Sequence, residues 1–241
     1  MYSTDLLLKV PKTILLTGIS GIDGKPISAI AWKALLSIMY FFPERDHCEI
    51  TVPITILHMM FGYYSNSECN RNRSHHVRRI LSHLEDLAEQ PLVFGRHRKN
   101  NTSGMVCIES VRVDILSDLC SVTFSHDFIQ YWENNTEKTY KTVNLQNLYS
   151  LHTLPAVILY LRCVVSNSGV ITISTAALAK LLTGDPDYPY KLLKKDKFRP
   201  AIAVIYSNTG FRIHFKEILS GNRVQKIQFT FRRNLIVPNN G

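Results

Sequence analysis

Acid is scarce at one end of this chain. Residues 188–241 hold only two carboxylates, Asp196 and Glu217, beside 11 Lys and Arg, whereas residues 1–187 balance 17 cations with 17 acids. The formal net charge of +9 therefore resides wholly in the C-terminal stretch. Such asymmetry points to a polyanionic partner for that part, the bland alternative being a solvated basic face with no partner.

Long apolar runs are also lacking. The longest, Ala29 to Phe42 and Leu154 to Val165, fall short of the roughly 20 residues that span a bilayer and are interrupted by Lys33 and Arg162. No membrane association is expected. MYSTDLLLKVPKTILL lacks a basic leader and a small-residue cleavage site, which argues against a secretory signal. The five cysteines (Cys48, Cys69, Cys107, Cys120, Cys163) contain no CxxC pair, and an odd, dispersed set reads as reduced thiols of a cytoplasmic protein. Cys69 with His75 and His76 has no zinc spacing, so neither a metal nor another cofactor is expected.

Catalytic signatures are missing too. There is no GxSxG and no Walker A, and GISGIDG (18–24) is a glycine turn without the GxGxxG form. SHH at 74–76 is not the His-hydrophobe-His element that tyrosine-dependent nicking needs. These omissions point to a protein that is not an enzyme. What remains, 45% hydrophobic and 20% charged residues, is ordinary globular composition. The length suits two domains of about 100–120 residues each.

The C-terminal half is the more legible. Leu154, Ile158, Leu161 and Val165 recur at helical spacing after Thr153, a capping residue, with Pro155 where its missing N–H does no harm. VITI (170–173) is a short β-branched strand; Ser174 then caps TAALAKLL, which stops at Gly184. KLLKKDKFRPAIAVIYSNTG (191–210) drives a highly charged start straight into an apolar face of Phe198, Ala201, Ile202 and Ile205. Pro200 inside that pattern predicts a kink or the helix's true start. Phe211, Ile213 and Phe215 alternate with Arg212, His214 and Lys216, and Ile227, Phe229 and Phe231 alternate with polar residues. This is a hairpin around SGN (220–222) with one apolar and one basic face.

Helix, strand, helix, helix, hairpin is the order of a winged helix. It recurs earlier: a helix from Ser28 carrying Trp32, Leu35, Leu36 and Met39; a strand EITV (49–52); a helix ITILHMMF (54–61); a long helix striped by Val77, Ile80, Leu81, Leu84 and Leu87; and a hairpin of LVF and MVCIESVRV flanking the tip RHRKNNTSG. The expected architecture is α+β, two tandem winged-helix domains. Residues 1–24 form an N-terminal extension, 25–135 the first winged helix, 136–147 a linker, 148–233 the second winged helix, and 234–241 a tail.

Three segments carry a family resemblance. VNLQNLYSLHTLPAVILYLRCV, FRPAIAVIYSNTGFRIHF and SGNRVQKIQFTFRR follow one another as do the connector, third helix and wing of the iteron-binding plasmid replication initiators. The chain resembles that family over about 140–233, and the earlier half resembles it in layout. The resemblance implies binding of repeated duplex DNA sites at a replication origin, the second winged helix making the main major-groove contact. It implies a first winged helix that dimerises and, in the monomer, adds DNA contact. A homodimer in equilibrium with monomer and a host replication initiator and helicase are the partners such a role would use. Two alternatives stay open: a winged-helix transcriptional regulator of plasmid or phage origin, and a winged-helix protein-interaction module.

In a helix-turn-helix the start of the recognition helix enters the major groove while its remainder packs on the domain. On that scheme Lys191, Lys194, Lys195 and Lys197 supply phosphate charge, and Tyr190 donates to a phosphate. Arg199, the only guanidinium of the stretch, is the candidate bidentate reader of guanine. Wing residues Lys216, Arg223, Lys226, Arg232 and Arg233 would contact backbone and position the protein. A second cluster, Arg71, Arg73, Arg78 and Arg79 with Arg96 and Arg98, is neutralised by Glu68, Glu85, Asp86 and Glu89. It suits a structural role as well as DNA contact.

Overall fold

The computed structural model describes residues 6–42, 48–60, 73–94, 104–166 and 168–233, and the chain divides into two units, Met1–His152 and Thr153–Gly241. Among the described residues no helix is long and apolar enough to cross a membrane.

The first unit is assembled around α2 (Ala29–Phe41), which Ser28 caps by accepting the Ala31 N–H. Trp32, Leu35, Leu36 and Met39 are buried, as their spacing predicts, but so are Lys33, Ala34, Ser37 and Ile38. The helix is therefore enclosed on more than one face. One neighbour is α4 (Arg73–Glu89), which turns Ile80, Leu81, Leu84 and Leu87 inward. Between them in sequence lie β3 (Glu49–Pro53) and α3 (Ile54–Met60).

The structure departs from the sequence reading at both ends of this unit. Residues expected as extension and linker pair with each other. β1 (Leu7–Pro11) runs antiparallel to β7 (Tyr140–Asn144), with buried Leu8 opposite buried Val143. The short helix α1 (Lys12–Thr17) and β2 (Ile19–Gly21) follow β1, and α6 (Leu145–Tyr149) follows β7. A mostly apolar segment, LLKVP, and a mostly polar one, YKTVN, found each other across the whole unit.

The expected first wing also needs correction. β4 (Leu92–Phe94) pairs with β2, and Leu92 makes only an isolated bridge to Met105. The hairpin is instead β5 (Ile108–Asp114) with β6 (Leu119–Phe124), which in turn pairs with β3. Its turn explains the choice. The Asp114 carboxylate accepts the N–H groups of Leu116 and Ser117 and the Ser117 hydroxyl, and Asp118 takes the left-handed conformation at φ 56°. RHRKNNTSG lies outside the described residues apart from Gly104. α5 (His126–Lys138), capped by Ser125, closes the unit with Phe128 and Trp132 buried.

In the second unit local signals were obeyed. α7 (Leu154–Val165) begins on Thr153, whose hydroxyl accepts the Ala156 N–H. β8 (Val170–Ser174) leads to α8 (Thr175–Thr183), capped by Ser174 and ended by Gly184 at φ 85°. The charged stretch forms α9 (Tyr190–Leu192), a π turn (Leu193–Phe198) and α10 (Arg199–Thr209) in one run. Pro200 has no N–H, and in a straight α-helix its ring would press on the carbonyl four residues back. The widened turn relieves this: the Arg199 N–H reaches the Lys194 carbonyl, five residues back. As a result Leu193 and Phe198, five apart, are both buried, and Ala201 and Ile205 continue their face.

β9 (Phe211–Ser220) and β10 (Arg223–Arg233) form the expected hairpin, and β10 is central in the order β8-β10-β9. Phe198 meets Phe215 and Phe229 edge-on, with ring centroids 5.1 and 5.8 Å away. The helical run is thus fixed to one face of the sheet by aromatic packing.

Candidate nucleic-acid interface

Alternation along β9 places Ile213, Phe215 and Glu217 on the same side, facing the helices. Glu217 stands where the apolar row ends, and two side chains of the helix entry converge on it. The Tyr190 hydroxyl donates to Glu217 Oε1 at 2.5 Å, and Lys194 Nζ donates to the same oxygen at 2.6 Å. The Lys194 hydrogen bond first, then that of Tyr190, holds the Glu217 carboxyl below its usual range. Burial, followed by the Glu217 carboxylate, pushes the Tyr190 phenol well up. Two residues expected to meet phosphate therefore meet a carboxylate of their own unit.

The other cations of the entry behave differently. Lys191, Lys195 and Arg199 are exposed. The Arg199 guanidinium lies 5.9 Å from the Phe215 ring centroid, at the edge of the Glu217 cluster. Lys197 is half-buried with its ammonium 5.8 Å from the Tyr188 ring. Asp196 is the one carboxylate on the exposed surface of this stretch.

Of the basic residues of the wing, Lys216, Lys226 and Arg232 fall on the opposite side of the sheet. Lys216 lies opposite Gln228, Lys226 opposite Ile218 on one side and Ser174 on the other, and Arg232 opposite Arg212. Arg223 lies beside the hairpin turn, opposite Ser220, and Arg233 pairs with Phe211 at the other end of the strand. Of the second cluster, Arg78 and Arg79 are exposed on α4 with Glu85 and Asp86 along the same helix. Arg73 opens that helix; Arg71, Arg96 and Arg98 lie outside the described residues.

Sequence reasoning passed over two residues here. Glu217 was legible as the inner-facing member of the 211, 213, 215 series in a stretch almost without acid. Arg212 was legible as part of the polar series of the same strand; its guanidinium lies 5.6 Å from the ring of Tyr206 on α10.

Residues 174–231, from the end of β8 through most of the wing, match the family model described as initiator Rep protein, WH2. No curated protein matches the chain by sequence. Among solved structures the chain is similar to the Pi initiator protein, determined in complex with iteron DNA, with a TM-score of 0.71 and 15% identity over 95% of this chain and 98% of that one. It is also similar to domains 2 and 3 of RctB, with a TM-score of 0.50 and 12% identity over 90% of this chain and 86% of that one. At such identities the likeness is one of fold, and it extends across both units. The fold is a tandem of winged helices, and its segment from the end of β8 through most of the wing is similar to the WH2 domain of initiator Rep proteins.

Proposed function

We propose that the protein is a plasmid replication initiator that binds iteron-type direct repeats of double-stranded DNA, acting in the cytoplasm through its winged helices and without enzymatic chemistry. The observation that carries this is the division within residues 190–209. A cation-rich, exposed entry is joined through a π turn to an apolar helix anchored in the core, inside the segment that matches the Rep family. The match of residues 174–231 to the Rep WH2 model and the likeness to an initiator crystallised with iteron DNA support the reading.

On this reading the labour is divided. Lys191, Lys195 and Arg199 are free to face phosphates and base edges from the groove. Tyr190 and Lys194 brace the entry against the wing through Glu217 and so orient it. Arg223, beside the wing turn, is placed to touch the backbone flanking the groove. The first unit serves dimerisation, in equilibrium with monomer, and leaves a host initiator and helicase to be recruited by the DNA-bound form. Cys107, which leads into β5, is fully buried and does not supply a surface for a twin copy. The exposed apolar residues of the β5–β6 turn, Ile115 and Leu116, are the better candidates, Leu116 being 100% exposed.

Footprinting of the full chain on the DNA flanking its coding region is the test. Protection of tandem direct repeats on one face of the duplex is expected. Protection of a single palindrome at a promoter would instead make it a transcriptional regulator.

A further inference from the structure

The three-stranded sheet of the second unit has two faces, and the helices cover only one. On the other, β9 presents Arg212, His214 and Lys216, and β10 presents Lys226 and Arg232, all of them exposed. Thr172, Gln228 and Thr230 lie between them, and no carboxylate stands on this face. Arg212 and Arg232 are direct cross-strand partners. Two like charges so placed cost stability unless an anion lies over them. Arg212, on the edge strand, carries its guanidinium towards Tyr206, but Lys216, Lys226 and Arg232 have no such recourse.

We propose that this outer sheet face binds the sugar–phosphate backbone of a second duplex segment, separate from the one engaged by Lys191, Lys195 and Arg199. The inference rests on the DNA-binding reading given above. Its cations span about 20 Å along β10, at about 3.4 Å per residue. Over that length a duplex offers on the order of ten phosphate charges. The segment is a second one because the helical run that carries Lys191, Lys195 and Arg199 is fixed to the inner face by Phe198, Phe215 and Phe229, whereas these cations stand on the outer face. A duplex with a persistence length of about 150 bp does not fold back around one sheet and one helix. Arg212 and Arg232 also lie about 27 Å along the hairpin from its turn, too far for the wing tip to bring them to the first duplex. A duplex fits better than a single strand, since none of these outward residues is a Phe, Tyr or Trp on which unpaired bases could stack.

The experiment tethers one biotin-labelled duplex, loads the full chain, and measures retention of a second, fluorescent duplex of the same sequence. The wild-type protein should hold both. R212Q/K216Q/R232Q should hold the tethered duplex within about twofold but lose capture of the free one by about tenfold or more, as expected when three phosphate contacts go. The charge-preserving R212K/K216R/R232K should retain capture. Parallel loss of both duplexes in the glutamine variant would place these residues on the first duplex and overturn the proposal. So would capture that survives the variant, because bridging would then come from dimerisation. A wild-type protein that holds the tethered duplex and captures nothing would overturn the second site while leaving the proposed function intact. One that holds neither would remove that function as well.

Discussion

Lys33 is 4% exposed in the middle of α2, and its ammonium donates to the Tyr149 carbonyl at 2.9 Å. Burial pushes its pKa down to about 8 from 10.5. An ammonium held 2.5 units below its ordinary value costs the folded state about 3 kcal/mol wherever both states are protonated, that is, below about pH 8. Between about pH 8 and 10.5 the unfolded chain keeps a proton that the folded chain has shed, so this contribution to stability rises with pH. The full penalty is present at neutral pH and fades above it. Lys33→Met removes the penalty but leaves the Tyr149 carbonyl without its donor, at a cost of about 1–3 kcal/mol. The two variants should therefore be close at pH 7, the Met variant being ahead by up to about 2 kcal/mol. The wild type should then gain about 3 kcal/mol on it by pH 10.5. Both tryptophans, Trp32 and Trp132, are in the first unit, so urea unfolding followed by tryptophan fluorescence reports this unit alone. Buried Cys107 and Tyr149 titrate differently in folded and unfolded chains too, but they are common to both proteins and cancel in the difference. A difference curve that stays flat from pH 7 to 10.5 would refute the reasoning.

Four further outcomes concern the second unit. Glu217→Gln should release Tyr190 and Lys194 and add one net positive charge; affinity for random duplex should rise while discrimination between preferred and random sites falls, read by titration on the two DNAs. Because the Glu217 carboxyl is held below its usual value, the wild-type brace should persist above about pH 4.5 and be lost only as pH falls through that lowered value. Gly169 sits at φ 68°, where an added Cβ would come within 2.9 Å of the Phe231 carbonyl oxygen, so Gly169→Ala should destabilise the second unit by about 2 kcal/mol or more, measured by circular-dichroism melting of the full chain. Arg199→Ala should cost about 1–3 kcal/mol on the preferred site and relax discrimination at one or two base pairs, and equal weakening across a panel of sites would make Arg199 a backbone contact instead.

What was legible followed the range of the interaction. Caps at Ser28, Thr153 and Ser174, the alternation of β9 and β10, and the stripe of α4 are decided within a few residues, and the sequence shows them directly. The first wing was misread because apolar alternation marks strands without naming their partners. LVF and MVCIESVRV both read as strands, and the Asp114–Asp118 turn chemistry then chose β6 for β5. β1 and β7 were invisible because LLKVP is too short to declare a strand by its own pattern and YKTVN buries only Val143, so the two have meaning only when set side by side. In the interface, the cations were legible by composition, but which way each pointed was not. Strand parity could have placed Glu217 among the inward residues. The π turn, which decides which entry lysines are exposed, arises from Pro200 acting back along an already formed helix.

The pairing of β1 with β7 also sets an order of events during synthesis. Leu8 meets Val143 across about 135 residues of chain, whereas Ile171 meets Phe229 across about 58. Closing the longer loop costs about 0.8 kcal/mol more in chain entropy, and every contact that depends on it must wait. On the ribosome, Leu7–Pro11 emerges well before its partner and stays unpaired until Tyr140–Asn144 has been made. Of these two pairings β1 is thus the strand held longer in suspense, an edge open to a nascent-chain chaperone until β7 arrives.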